Sequence, residues 1–316
     1  MISNIATYIP QKIVHNTDLA ALNEHYSSTK IKDKLGIESR PIVEDSEFVS
    51  DIATKAGEKL IEQANLLRED IDMLIVCTQS PDYLIPTTAC IVHKNLGLKV
   101  TCGAFDFNLG CSGFIYGLTI AEGLLKTNTA DNILLITADT YSKHIEKSDI
   151  PNRAIFGDAA AAVLLNNDGK YIVGQFDLGT DGTYYNSLIS YGSGMNKESS
   201  ETPKLFMNGK DIFNFTIEKI PPLVNQNLKS NSITINNCDY LIFHQANKFI
   251  LNHLRKKIGI PEEKFHIELM NLGNTVSSTI PIALSSVWDQ NYNTIQLTGF
   301  GVGLSWGSVV ITKRKC

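Results

Sequence analysis

Asp72-Met73-Leu74-Ile75-Val76 and Asp239-Tyr240-Leu241-Ile242-Phe243 are two versions of one phrase, an aspartate followed by an unbroken apolar run. Short runs of this kind, without polar residues at alternate positions, mark strands covered on both faces. Each is followed by a helical pattern with a similar ending, Lys94-Asn95-Leu96-Gly97-Leu98 in one case and Lys256-Lys257-Ile258-Gly259-Ile260 in the other. Asn108-Leu109-Gly110-Cys111 then returns as Asn271-Leu272-Gly273-Asn274. Three matches in one order and at a nearly constant offset imply an internal duplication. The two α/β halves meet near residues 165–175, dividing the chain into 1–168 and 169–316. Cys111 and Asn274 stand at equivalent points, each closing an Asn-Leu-Gly turn and opening an apolar helix of small residues. In halves related by a pseudo-twofold, such points can face each other across one cleft.

Outward from the repeat, further strand-like runs lie at 132–137, 161–165 and 308–312, and helical patterns at 50–64, 87–96, 112–125 and 248–258. Alternation of this kind implies a layered α/β architecture. A chain of 316 residues is long enough for a large core in two packed halves. The 43% hydrophobic and 19% charged fractions are ordinary for a globular protein. A net charge of -5 gives no general attraction for nucleic acid or an anionic membrane. No apolar run reaches the roughly 18–20 residues of a membrane helix. Met1-Ile2-Ser3-Asn4-Ile5 is not a charged leader before an apolar core, so a cytoplasmic protein is expected. The six cysteines, Cys77, Cys90, Cys102, Cys111, Cys238 and Cys316, form no C-x-x-C pair, which argues against a zinc site or a thioredoxin-like motif. The polar, glycine-bearing stretch 181–201 is expected to be a long surface excursion, either a plain loop or a cover over a substrate channel.

Four segments carry candidate chemistry. In Asp106-Phe107-Asn108-Leu109-Gly110-Cys111-Ser112-Gly113-Phe114, a strand ends, Gly110 permits a sharp turn and a helix follows. Cys111 therefore stands beside a helix N-terminus, where unpaired N–H groups and the dipole lower a thiol pKa. A thiolate can accept an acyl group as a thioester; the alternative is a small buried thiol between glycines. Phe243-His244-Gln245-Ala246-Asn247 sets His244 at the carboxyl end of a buried strand, a usual position for site residues. A structural histidine is the alternative, although Gln245 and Asn247 disfavour purely apolar packing. His15, His25, His93, His144, His253 and His266 have no comparable setting. Asn271-Leu272-Gly273-Asn274-Thr275-Val276-Ser277-Ser278 offers Asn274 either as an amide donor or as a helix cap. Thr298-Gly299-Phe300-Gly301-Val302-Gly303-Leu304-Ser305-Trp306-Gly307 is a glycine-rich turn between strands. It has neither the GK[ST] ending of a phosphate loop nor the spacing of a dinucleotide fingerprint. It is either a tight hairpin or a set of N–H groups aimed into a cleft.

With these residues in place, the chain resembles the ketoacyl-acyl-carrier-protein synthase III family, the initiating condensing enzymes of fatty-acid synthesis. Cys111-Ser112-Gly113-Phe114, His244-Gln245-Ala246-Asn247, Gly273-Asn274-Thr275 and Gly299-Phe300-Gly301 with Trp306-Gly307 stand in the family's order and spacing. So do Leu35-Gly36-Ile37 with Arg40, Pro86-Thr87-Thr88-Ala89-Cys90, and Phe156-Gly157-Asp158-Ala159-Ala160-Ala161. The likeness spans essentially the whole chain. It implies a thiolase-like fold, two duplicated α/β halves forming five αβαβα layers, and a homodimer. It also implies chemistry in two steps. Cys111 takes an acyl group from an acyl-thioester; a malonyl-thioester then loses carbon dioxide and its carbanion attacks the acyl-enzyme. His244 and Asn274 would donate to the malonyl thioester oxygen, each such donor being worth about 2.7–4 kcal/mol. The backbone N–H groups of Cys111 and Val302 would form the oxyanion hole. Phe300 would pack against the nucleophile and exclude water, with Phe213 and Ile85 as further packing residues. The implied substrates are acyl-coenzyme A, acyl-carrier protein or both, with no cofactor and no metal.

The resemblance also exposes departures. Lys30 stands where coenzyme-A-using members carry a Trp that stacks on adenine, and Lys34 replaces an arginine, losing its bidentate fork. Arg153 matches a coenzyme-A-contacting arginine, and Asn247 joins this expected substrate set. Phe249 replaces a basic residue of the carrier-protein surface, with Lys248 beside it, and Asn214 replaces a lysine. Lys256 and Lys257 match the family's basic patch, and neighbouring Arg255 supports acidic carrier-protein docking. Ile85 replaces a bulky aromatic in the loop expected to reach the partner's acyl pocket, which would admit a longer or branched acyl group. Two other functions are compatible with the fold. One is an acyltransferase passing the cysteine-bound group to an alcohol or amine in a specialised or surface-glycan pathway. The other is a non-catalytic partner subunit, which the presence of Cys111 disfavours.

Overall fold

The structure is a computed structural model describing residues 1–196 and 204–315. The first half contributes β1 (Ile2–Tyr8), β2 (Lys12–His15), α1 (Asn16–Ala20), α2 (Ser28–Leu35), β3 (Ser39–Ile42), α3 (Val49–Ala64), β4 (Met73–Cys77), α4 (Thr88–Asn95), β5 (Gly103–Phe107), α5 (Gly113–Lys126), β6 (Ile133–Asp139), α6 (Ile150–Ile155) and β7 (Ala159–Leu165). The second contributes β8 (Tyr171–Thr180), β9 (Leu188–Tyr191), β10 (Lys204–Met207), α7 (Gly209–Ser230), β11 (Tyr240–Phe243), α8 (Lys248–Ile258), α9 (Thr279–Ser286), β12 (Thr294–Gly301) and β13 (Ser305–Lys313).

The two repeated apolar runs are β4 and β11, and their surroundings correspond. β4 pairs in parallel with β5 and β6, after which β7 and β1 add antiparallel. β11 pairs in parallel with β12, after which β13 and β8 add antiparallel. The counterpart of β5 is reduced to one parallel bridge, Leu241 to Phe265. By hydrogen bonding the strands form one nine-stranded order, β11-β12-β13-β8-β1-β7-β6-β4-β5, which amounts to two sheets joined through a single pair, Ile2 with Tyr171. Residues 168 and 169 lie in the turn between β7 and β8.

Alternation along each run explains why it is apolar throughout. Leu74 and Val76 face outward onto Ile52, Leu60 and Val92 of α3 and α4. Ile75 faces inward onto a core with Phe114 and Leu118 of α5 and Ile280 and Leu284 of α9. In the second half Ile242 joins that inner core, while Leu241 and Phe243 meet Val224 of α7 and Leu251 of α8 on the outer side. Period-two exposure to two different cores leaves no polar face. The helices and sheets stack as α3/α4, first sheet, α5/α9, second sheet, α7/α8, the five αβαβα layers expected.

Two segments differ from expectation. The glycine-rich stretch after 298 is mostly strand: β12 runs through Gly301, β13 starts at Ser305, and the turn is confined to 302–304. Its glycines mark close backbone approach: a Cβ on Gly299 would lie 2.9 Å from the Cys111 carbonyl oxygen, and one on Gly301 2.7 Å from the Cys111 Cβ. Within the excursion after 181, Gly182–Ser187 forms a 3₁₀ turn and β9 pairs antiparallel with β10. The rest of that excursion, 197 through Glu201, lies outside the described residues, as does Cys316. Among the described residues no helix is long and apolar enough to cross a membrane.

Candidate active site

Cys111 follows β5 after a tight turn, with Ser112 as N-cap of α5. Gly110 has no room for a side chain, since a Cβ there would meet Gln79 and, at 2.7 Å, Val302 Cγ1. Cys111 is 5% exposed, and the nearby backbone N–H groups of Cys111 and Val302 favour its thiolate form. The expectation that the helix end lowers its pKa is corrected here. Burial, with the Asp139 charge behind it, pushes the thiol well above its ordinary value despite those N–H groups. The ordering of effects is physical: a helix terminus contributes about 0.3–1 kcal/mol, whereas complete burial of an ionisable group moves it by as much as about 3–5 pKa units.

His244 leaves the end of β11 with its N–H donating to Thr298 O at 2.8 Å. Its ring is buried, with Nδ1 2.8 Å from Thr279 Oγ1 and Nε2 3.4 Å from Asn274 Nδ2. Phe300 packs edge-on against it, with ring centroids 5.5 Å apart. Burial pulls the imidazole down to about 3, so it is neutral at physiological pH. The Asn274 amide is oriented by its own turn: Val276 N–H donates to Oδ1 at 2.9 Å, which leaves Nδ2 facing His244. The oxygen closes a local turn while the nitrogen faces His244 and the cavity; the N-caps of the 3₁₀ turn Val276–Ser278 and of α9 are Thr275 and Ser278, not Asn274.

The backbone of Asn274 is pinned to the first half. Asn274 N–H donates to Ile155 O at 2.9 Å, and Gly157 N–H donates to Asn274 O at 3.0 Å. Gly273 adopts φ +64, the left-handed region that glycine tolerates, and a Cβ on Gly157 would overlap Leu272 O. Arg40, fully buried, braces the same junction by donating to Ala154 O at 3.0 Å and to Val14 O at 3.1 Å. Asp158 accepts from Val43 N and Ser142 N, each at 2.9 Å. These motif residues are scaffold, and they carry the histidine and amide of one half to the thiol of the other.

A cavity of about 670 Å³ runs from the surface of α2 to the sulfur, and Cys111, His244, Asn274 and Phe300 all line it. Lys30 and Lys34 stand at its outer end, with Phe213 and Asn247 on its wall. Asn247 also caps α8, accepting from Ile250 N. Leu188 and Met207, from the β9–β10 pair, form another wall. Arg153 is not among the lining residues and donates to Lys147 O at 2.7 Å. Lys248 and Lys256 line, with Lys34, a separate depression of about 320 Å³ beside the mouth. Arg255 is engaged elsewhere on α8, donating to Ile260 O and Glu262, both at 3.3 Å; Lys257 is exposed outside the depression. Ile85 is 89% exposed and not on the cavity of its own chain.

Other residues at the site had no sequence signal. Tyr141 packs beside Cys111 and donates to Gln79 Oε1 at 2.6 Å, and His144 Nε2 lies 3.1 Å from Gln79 O. Ser112 and Ser305 hydroxyls meet at 2.6 Å, tying the Cys111 turn to the turn that bears Val302. Buried Asp139 accepts from Gln79 N, Ser277 N and the Ser277 hydroxyl, and burial raises it to about 7. Among the described residues there is no cluster of three metal-ligating side chains.

Five layers with two corresponding sheets define a thiolase-fold enzyme. Residues 105–182 match the family model of 3-oxoacyl-[acyl-carrier-protein (ACP)] synthase III, and residues 228–313 match its C-terminal model. The beta-ketoacyl-[acyl-carrier-protein] synthase III of Streptococcus sanguinis is 35% identical over 98% of each chain. That of Clostridium perfringens is 38% identical over 96% of each. A 3-oxoacyl-(acyl-carrier-protein) synthase III crystal structure superposes with a TM-score of 0.91 at 36% identity, covering 98% of both chains. The chain belongs to the 3-oxoacyl-[acyl-carrier-protein] synthase III family.

Proposed function

We propose that this chain condenses a Cys111-bound acyl group with a malonyl thioester on an acyl-carrier protein, releasing carbon dioxide. One observation carries this reading: His244 Nε2 and Asn274 Nδ2 lie 3.4 Å apart on the same cavity as the thiol. Two donors so placed can share one oxygen, which an enolate requires and a thioester at rest does not.

In the first step the Cys111 sulfur loses its proton and attacks the acyl carbonyl carbon. The new carbon–sulfur bond forms, the donor's thiolate leaves and takes up a proton, and the N–H groups of Cys111 and Val302 hold the transient oxyanion. In the second step the malonyl carbon–carbon bond breaks, carbon dioxide departs, and its electron pair becomes an enolate held by His244 and Asn274. The enolate carbon attacks the acyl-enzyme, and the Cys111 thiolate is expelled and reprotonated. Phe300 packs edge-on against the His244 ring and limits water. The outer lysines Lys30 and Lys34 suit the phosphates of either coenzyme A or a phosphopantetheine arm, and Lys248 and Lys256 suit an acidic carrier surface.

Homodimerisation belongs to the same proposal. Tyr83, Leu84 and Ile85 are 62%, 65% and 89% exposed in consecutive positions, an apolar projection suited to a second copy's acyl pocket. The two corresponding halves we read as products of one duplication.

Intact-mass measurement after incubation with acyl-coenzyme A and acyl-carrier thioesters tests acylation, with Cys111→Ser as control. Labelled malonyl-carrier protein tests the second step. Carbon dioxide release coupled to a 3-oxoacyl product supports the reading. Transfer of the acyl group to an alcohol or amine without carbon dioxide release overturns it.

A further inference from the structure

The hydroxyl of Thr279 has one proton and two acceptors within reach. It lies 3.0 Å from Val276 O and 2.8 Å from His244 Nδ1. The direction it chooses decides what the histidine can do. If it donates to Val276 O, it must accept from Nδ1–H, and a neutral ring is left with a bare Nε2. If it donates to Nδ1, the ring carries its proton on Nε2. His244 is neutral, so the two tautomers are exclusive.

The neighbouring amide settles which tautomer the proposed chemistry needs. Asn274 Oδ1 is occupied by the Val276 N–H, so Nδ2 is the group turned toward the imidazole and the cavity. A bare Nε2 would accept from that amide and close the pair on itself. A protonated Nε2 makes two donors side by side, 3.4 Å apart, with room for one oxygen between them. Thr279 is 3% exposed, and no other side chain is within hydrogen-bonding distance of Nδ1 among the described residues.

We propose that Thr279 is the positioning residue of the enolate site. Its hydroxyl proton points at His244 Nδ1, fixing the ring plane and the Nε2–H tautomer. Val276 is the pivot of the arrangement. This β-branched residue is held at φ +54, in the left-handed region that such side chains rarely adopt. From there its N–H orients Asn274, while its carbonyl is the competing acceptor for Thr279. The inference rests on the condensing reaction proposed above and adds to it a residue outside the cysteine, histidine and asparagine set.

The test separates the two claims. Nitrogen NMR of ¹⁵N-histidine-labelled protein, with His244 assigned by loss of its signals in His244→Gln, reads the tautomer directly. The Nε2–H form is expected, and an Nδ1–H form overturns the proposal whatever the overall reaction proves to be. Thr279→Val keeps the shape and removes the hydroxyl, whereas Thr279→Ser keeps the hydroxyl. Thr279→Val is expected to lose about 10²–10³-fold in malonyl decarboxylation, with Cys111 acylation changed less than about threefold. That retained half-reaction also shows that the variant folds. Thr279→Ser is expected to restore most of the loss. Decarboxylation unchanged in Thr279→Val, or lost equally in Thr279→Ser, overturns the assignment. A wild-type protein that acylates Cys111 but releases no carbon dioxide sinks the condensing reaction, while the tautomer measurement still decides the place of Thr279.

Discussion

Cys111, the nucleophile of the proposed reaction, is kept mostly as a thiol, and this sets its dependence on pH. Burial raises its pKa far above the working range, so the reactive thiolate fraction grows about tenfold per pH unit. Alkylation of Cys111 by iodoacetamide should therefore rise continuously from pH 6 to pH 9 without a plateau; a plateau near neutrality would mean a thiolate stabilised in the resting enzyme. His244 gives the opposite expectation. Its pKa is lowered from 6.5 to about 3, so protonation begins only at strongly acidic pH. The malonyl decarboxylation rate should show no inflection near pH 6.5, and a histidine limb there would contradict a neutral, purely hydrogen-bonding role. The sequence singled out Cys111 and Asn274, each ending an Asn-Leu-Gly turn, and His244, directly after a buried strand, and the three line one cavity. Thr279, Gln79 and Tyr141 were not legible. Each is a common residue type in an unremarkable local pattern, and each gains its role only from a partner at least 35 positions away. The direction of the thiol shift was missed for a similar reason, because a helix terminus is local and burial is not.

At the level of single elements, β12 shows how close packing decides sequence. It passes over Cys111 so tightly that Gly299 and Gly301 have no room for a methyl group. Gly301→Ala should cost about 1–3 kcal/mol of stability from overpacking, and it should slow Cys111 acylation more than it lowers the melting temperature would suggest, since the strain falls on Cβ and Sγ directly. Equal acylation rates in the two proteins would show that the strand can move away freely. The helices α5 and α9 make a complementary case, since their apolar residues face both sheets. Leu118→Ala should cost about 2–5 kcal/mol in denaturant unfolding, a loss that a surface helix would not show. Both strand runs and the helices α3, α4, α5 and α8 could be placed from periodicity, whereas α7, the longest helix, was not read from it. The glycine-rich stretch could not, because turn glycines and close-approach glycines read alike until a neighbour is known.

Seen as a whole, the molecule assembles its site from two halves that share few backbone contacts. The sheets touch at one residue pair, and the bridges of Asn274 to Ile155 and Gly157 supply the link nearest the chemistry. The correspondence of β4 with β11 was legible because similar phrases recur; the bridging contacts were not, because they pair residues with no sequence relation. Ile85→Asp should shift the sedimentation of the protein toward the monomer, and unchanged sedimentation would remove the Tyr83-Leu84-Ile85 projection from any subunit contact.

The middle helical layer has a historical consequence. Each sheet has its own outer helices, but α5 and α9 lie between the sheets and cover one another as well as both inner faces. A solitary half would present a broad greasy slab to water and precipitate. If the two halves descend from one shorter gene, the product of that gene could persist only by clasping its own twin, so partnership came before the fusion that made it permanent.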